Sequence, residues 1–118
     1  MSEMKLYDLE LIHKMCRGDQ EKVTKMVHVF IDQISQSLGE ITSAYAERDF
    51  TKIGRLVHKV KPTLTYFGVA TLEKEAHNLE NLLHNNAEPS EIEIKILSFN
   101  TTAKEVVDIM KIDFNVIN

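Results

Sequence analysis

Apolar residues recur at spacings of three and four along almost the whole chain, which is the pattern of amphipathic helices. The longest run covers about residues 20 to 45 and contains Val23, Met26, Val27, Phe30, Ile31, Ile34, Leu38, Ile41 and Tyr45. Runs with the same period cover about residues 5 to 15, 50 to 67, 69 to 85 and 89 to 113. The pattern therefore predicts one short helix followed by four substantial ones.

Capping and breaking residues separate these runs. Asp19 and Asp49 precede the second and third runs, and aspartate is a preferred N-cap because its carboxylate accepts hydrogen bonds from free N–H groups. Gly68 ends the third run, and Pro89 opens the last, in the first helical turn where proline is tolerated. Residues 91–96 alternate with period two, but they follow a helix start and join a longer helical pattern. We expect an all-α fold, an antiparallel four-helix bundle with a short additional N-terminal helix.

Length and composition restrict the possible roles of the chain. Its 118 residues predict a single domain over residues 1–118, and its net charge of −4 argues against nucleic acid as the main partner. Cys16 is the only cysteine, which excludes an intramolecular disulfide and suits a reducing cytoplasm. No apolar run approaches the roughly 18 residues that a transmembrane helix needs. We therefore expect a cytoplasmic domain with no membrane partner, and a monomer.

His58 is the candidate functional residue, because it lies off the apolar stripe of the third predicted helix. At about 100° per residue, it points roughly 140° away from Ile53, the centre of that stripe. Lys61 and Thr65 lie roughly 80° and 120° from the same centre. An imidazole that points outward beside an ammonium group is a poor packing choice but a suitable place for a phosphoryl group.

The segment Val57-His58-Lys59-Val60-Lys61-Pro62, followed by Gly68 and Leu79-Glu80, resembles the histidine-containing phosphotransfer (HPt) domain of multistep phosphorelays. The family pattern is Ala-His-x-Leu-Lys-Gly on a helix, a glycine ten residues after the histidine, and a later helix with Leu-Glu. The resemblance covers roughly residues 5 to 113. Pro62 departs from the pattern, which usually has glycine there. Because proline lacks an N–H and clashes with the carbonyl four residues back, a kink that exposes the His58 carbonyl is expected.

The resemblance implies a phosphoryl carrier that shuttles phosphate between receiver-domain aspartates, with no catalytic turnover of its own. It implies partners of two kinds, response-regulator receiver domains and a hybrid sensor histidine kinase. No cofactor is expected on this chain, since the partner receiver would supply Mg²⁺. The implied roles are phosphoacceptor for His58, phosphate stabilisation for Lys61 and Thr65, a structural turn at Gly68, and possible receiver docking for Pro62, Tyr66 and Val69.

Two other interpretations stay open. A docking module would keep the bundle and bind receivers without carrying phosphate, and Pro62 is the feature that favours it. A metal-binding bundle is the second, because Glu73, His77, Glu80 and His84 share one face of the fourth predicted helix. Helical-bundle metal sites draw their ligands from several helices. We therefore expect this face to be a solvated polar surface, and no metal site is predicted.

Overall fold

The computed structural model describes residues 6–116, and this part of the chain contains helices but no strand. The helices are α1 Glu10–Met15, α2 Gln20–Ala46, α3 Phe50–Tyr66, α4 Ala70–His84 and α5 Pro89–Asp113. Each long helix packs against the next, α5 returns to α2, and α1 packs on α2. This arrangement confirms the predicted all-α bundle with a short N-terminal helix. Within the described range, no helix is both long and apolar enough to cross a membrane.

The helix starts follow the predicted capping residues in two of the long helices. The carboxylate of Asp19 accepts hydrogen bonds from two N–H groups in the first turn of α2, and Asp49 accepts one at the start of α3. Pro89 occupies the first turn of α5, as predicted. The predicted start of the first helix, near residue 5, lies outside the described residues, but residues 6–9 are not helical and α1 begins at Glu10. At this start, the Asp8 carboxylate accepts a hydrogen bond from the Glu10 N–H at 3.0 Å.

The core lies between the inner stripes of the four long helices and, among the described residues, is entirely apolar. The rings of Phe30 and Phe67 stack with centroids 4.4 Å apart, joining α2 to the end of α3. In α5, Ile109 is apolar but 38% exposed, while Ala103 and Val107 are buried. The apolar residues of α5 therefore occupy two faces, of which only one packs against the bundle.

The turn between α3 and α4 is held by a glycine and by the N-terminal segment. Gly68 has φ +61°, and the carbonyl of Phe67 accepts a hydrogen bond from the Asp8 N–H at 3.3 Å. Val69 then begins α4 as its N-cap and is fully buried. The prediction that Val69 contributes to receiver docking is therefore wrong, because its side chain continues the apolar stripe of α4 into the core.

Candidate functional site

The outer face of α3 presents His58 to solvent. Its side chain is 80% exposed, whereas its neighbours Val57 and Val60 are buried in the bundle. The helix continues through Pro62 without a break. Pro62 has no N–H to offer the His58 carbonyl, so that carbonyl lacks the usual intrahelical hydrogen bond. The exposed imidazole thus belongs to the residue whose carbonyl loses its helical donor at Pro62.

Glu80 of α4 holds the imidazole of His58 in one orientation. The Nδ1 atom of His58 lies 2.9 Å from Oε2 of Glu80. An ionised carboxylate can only accept, so in this contact Nδ1 carries the hydrogen and donates it. The hydrogen bond made by one ring nitrogen fixes the state of the other, so in the neutral ring Nε2 keeps its lone pair. The lone pair available for reaction is thus on Nε2.

Lys61 contacts the same carboxylate. Its Nζ donates to Oε1 of Glu80 at 2.6 Å, and both side chains are about three-quarters buried. Burial raises the pKa of the Glu80 carboxyl, but the hydrogen bonds from Lys61 and His58 and their charges outweigh burial. The pKa of Glu80 therefore lies below its usual range, and the carboxylate is ionised at neutral pH. Glu80 brings the imidazole and the ammonium group together on one side of α3.

Thr65 lies apart from this group. It follows His58 by seven residues, which is about 10 Å along the helix axis. Its Oγ1 lies 2.6 Å from Oε2 of Glu73 and 3.3 Å from the carbonyl of Lys61. A hydroxyl has a single hydrogen to donate, and here it is directed at these acceptors. The structure thus groups His58 with Lys61 and places Thr65 in a separate contact with α4.

Glu80 is the site residue that sequence reasoning did not single out. In the sequence it appears only as part of the Leu79-Glu80 pair and of the polar face of the fourth helix. A signal was available, since His58 and Glu80 lie ten and twelve residues on either side of Gly68. Two helices joined by a tight turn run antiparallel, so residues at similar distances from the turn come level with each other.

An exposed apolar patch lies next to His58, toward α2. It comprises Pro62 and Tyr66, which follow His58 by one and two helical turns, together with Met15 and Val29. Met15, Val29 and Tyr66 border a shallow groove of about 330 Å³ between α2 and α3. We call these four residues the apolar patch. Pro62 and Tyr66 were predicted from the sequence as docking residues. Met15 and Val29 join the patch because α1 and α2 pack beside α3, which the sequence does not show.

The acidic and histidine side chains of α4 do not gather into a metal site. Among residues 6–116, no three His, Cys, Asp or Glu side chains are placed to hold one metal ion. Glu73 accepts from Thr65, and Glu80 accepts from His58 and Lys61. His77 and His84 are exposed on the same helix. The carboxylates of this face therefore serve contacts between α3 and α4.

Comparisons with known proteins agree with this architecture. A family model described as the Hpt domain matches residues 25–107. Among solved structures, the chain is similar to the HPT domain from an Hpt sensor hybrid histidine kinase from Shewanella. That similarity has a TM-score of 0.76 at 17% sequence identity and covers 94% of this chain and 95% of the other. No curated protein matches the chain significantly.

Proposed function

Because this chain belongs to the Hpt domain family, which carries phosphoryl groups in phosphorelays, we propose that His58 is its phosphoacceptor. One observation carries the proposal: an exposed imidazole has its Nδ1 held by Glu80 and an ammonium group beside it. Nε2 would attack the phosphorus of a receiver's aspartyl phosphate. As the N–P bond forms, the P–O bond to the aspartate breaks and the carboxylate leaves. A second receiver aspartate would reverse these steps and take the phosphoryl group away.

Lys61 would stabilise the phosphoryl group once it is attached. Its ammonium group pairs with Glu80 in the free protein and lies one turn from His58. The flexible lysine side chain can turn from Glu80 toward the phosphoryl oxygens, where a charge-assisted hydrogen bond is stronger than a neutral one. Glu80 would keep Nδ1 as the donor throughout.

The domain would act as a carrier without turnover of its own. Mg²⁺ would be supplied by the partner receiver, since the Glu80 carboxylate beside His58 already accepts hydrogen bonds from His58 and Lys61. Receivers would dock on the apolar patch, which borders the phosphoacceptor and is exposed around Tyr66. The single cysteine, Cys16, is buried and forms no disulfide within residues 6–116, which suits the cytoplasm as the site of action.

Phosphate mapping tests the proposal directly. Receiver domains are charged with acetyl phosphate and Mg²⁺, freed of the donor, and mixed with this protein. We expect acid-labile, alkali-stable label on His58, and on none of the other four histidines among the chain's five. Label on another residue, or no label from a receiver that measurably binds, would overturn the proposal. The second outcome would leave a docking module that carries no phosphate.

Replacing Glu80 with glutamine is expected to slow phosphorylation of His58 about tenfold. A neutral amide accepts from Nδ1 more weakly than a carboxylate, and a loss of about 1.4 kcal/mol in the transition state corresponds to that factor. The rate is measured with phosphoramidate, a small donor that needs no docking. The Nδ1 tautomer is followed by ¹⁵N chemical shifts.

Glu73→Gln is the matched control for this substitution, since Glu73 lies on the same helix and pairs with Thr65 instead. It should leave the rate of His58 phosphorylation within a factor of about two of wild type. Equal rates for Glu80→Gln and Glu73→Gln would show that Glu80 does not position the imidazole.

A further inference from the structure

The helix that carries His58 differs in charge from the rest of the chain. The 17 residues of α3 include four of the chain's 14 lysines and arginines and none of its 18 aspartates and glutamates. The chain as a whole has a net charge of −4. Positive charge is thus concentrated on the helix that carries the proposed phosphoacceptor.

Three of these cations form a ridge beside His58, which we call the cationic ridge: Lys52, Arg55 and Lys59. At about 100° per residue, they lie roughly 60° to 120° around the helix from His58, on the side opposite Lys61. Arg55 and Lys59 are exposed, and Lys52 is half-buried. In the described part of the chain, the ion pairs of α3 involve only His58 and Lys61. The ridge therefore presents cations whose charge is offset by no carboxylate of residues 6–116 within 4 Å.

The ridge and the apolar patch lie on either side of the phosphoacceptor along α3. Lys52 and Arg55 precede His58 and Lys59 adjoins it, whereas Pro62 and Tyr66 follow it toward the C-terminal end. A partner that approaches His58 would therefore meet positive charge at one edge and apolar surface at the other. An extended polyanion such as a nucleic acid would gain nothing from the apolar patch. The rest of the chain, which is acidic, would repel it.

We propose that the cationic ridge recognises an acidic surface on the rim of the partner receiver domain, beside its phosphorylated aspartate. The proposal rests on the proposed function, since it concerns the surface around His58. Complementary charge steers diffusional encounter and discriminates between partners more than it adds affinity. The ridge spans about 10 Å of α3. The Debye length at physiological ionic strength is about 8 Å, so salt would strongly screen the attraction between the exposed ridge and a receiver.

Charge reversal at the ridge tests this inference. For Arg55→Glu combined with Lys59→Glu, we expect at least a tenfold lower second-order rate constant for transfer from a receiver at low salt. The matched control is Lys95→Glu combined with Lys104→Glu, which makes the same change in net charge at two exposed positions of α5. It should change the rate less than twofold. The difference between the two variants should shrink as ionic strength rises.

Phosphoramidate labelling separates failure of this inference from failure of the proposed function. At high ionic strength, which screens the attraction between this small anion and the ridge, the donor should label His58 equally in wild type and both double variants. No labelling of wild-type His58 by any donor would overturn the proposed function itself. Normal phosphoramidate labelling with equal receiver rates in the two double variants would overturn only the cationic ridge.

A panel of phosphorylated receiver domains with acidic, neutral or basic rims supplies the second test. Transfer rates to wild type should fall in that order, and reversal of the ridge should invert it. Rates that do not depend on the charge of the receiver rim would contradict the proposal.

Discussion

Replacing His58 with glutamine is expected to abolish phosphoryl uptake while changing the free energy of unfolding by less than about 0.5 kcal/mol. The amide of glutamine has no nucleophilic nitrogen, because its lone pair is delocalised into the carbonyl. The fold should tolerate the change, since the His58 side chain is 80% exposed and, among residues 6–116, makes one hydrogen bond, to Glu80. Uptake is measured as acid-labile label from phosphoramidate and from a charged receiver, and stability by urea unfolding.

His77→Gln provides the control, because His77 is an exposed histidine on α4, close in sequence to Glu80. This variant should take up phosphate as wild type does. Label that persists in His58→Gln, or that disappears in His77→Gln, would contradict the assignment of His58. A large loss of stability in His58→Gln would instead show that the contact with Glu80 holds α3 and α4 together.

The helices could be predicted because their signals are local. Three helix starts depend on residues that act within one turn of the chain: Asp19, Asp49 and Pro89. The local sequence alone is therefore enough to predict where these helices begin. The start of α1 could not be predicted in this way. The apolar period continues upstream of Glu10, but the Asp8 N–H bonds to the carbonyl of Phe67, which is distant in the sequence. A tertiary contact there replaces the helical turn that the periodicity predicts.

The site was predictable only where a single helix determines it. The angular positions of His58 and Lys61 on α3 follow from helical geometry, and so does the exposure of Tyr66. The partners of these residues depend on the register between α3 and α4, which the turn at Gly68 sets. Glu80 was therefore missed as the residue that joins His58 to Lys61, and the contact between Thr65 and Glu73 was not foreseen.

Replacing Gly68 with alanine is expected to destabilise the protein by about 3 to 4 kcal/mol. At φ +61° an L-residue is strained by about 1 to 2 kcal/mol. In addition, an alanine Cβ would overlap the carbonyl oxygen of Asp8 and lie 2.8 Å from its nitrogen. Both are backbone atoms, so the N-terminal segment would have to move, breaking the bond to Phe67 and disturbing the buried residues Tyr7 and Leu9. Urea unfolding measures the loss.

Alanine substitutions at two other glycines separate the cost of backbone strain from the cost of steric conflict. Gly18 has φ +75°, and a Cβ added there would meet no atom of the described residues within 4 Å, so Gly18→Ala should cost only the strain, about 1 to 2 kcal/mol. Gly39 lies inside α2 with equally open space, and Gly39→Ala should stabilise by about 0.5 to 1 kcal/mol. If Gly68→Ala lowers the free energy of unfolding no more than Gly18→Ala does, the segment around Asp8 can move away from the added Cβ without loss of stability. The turn that aligns Glu80 with His58 would then depend on backbone conformation alone, without support from the N-terminal segment.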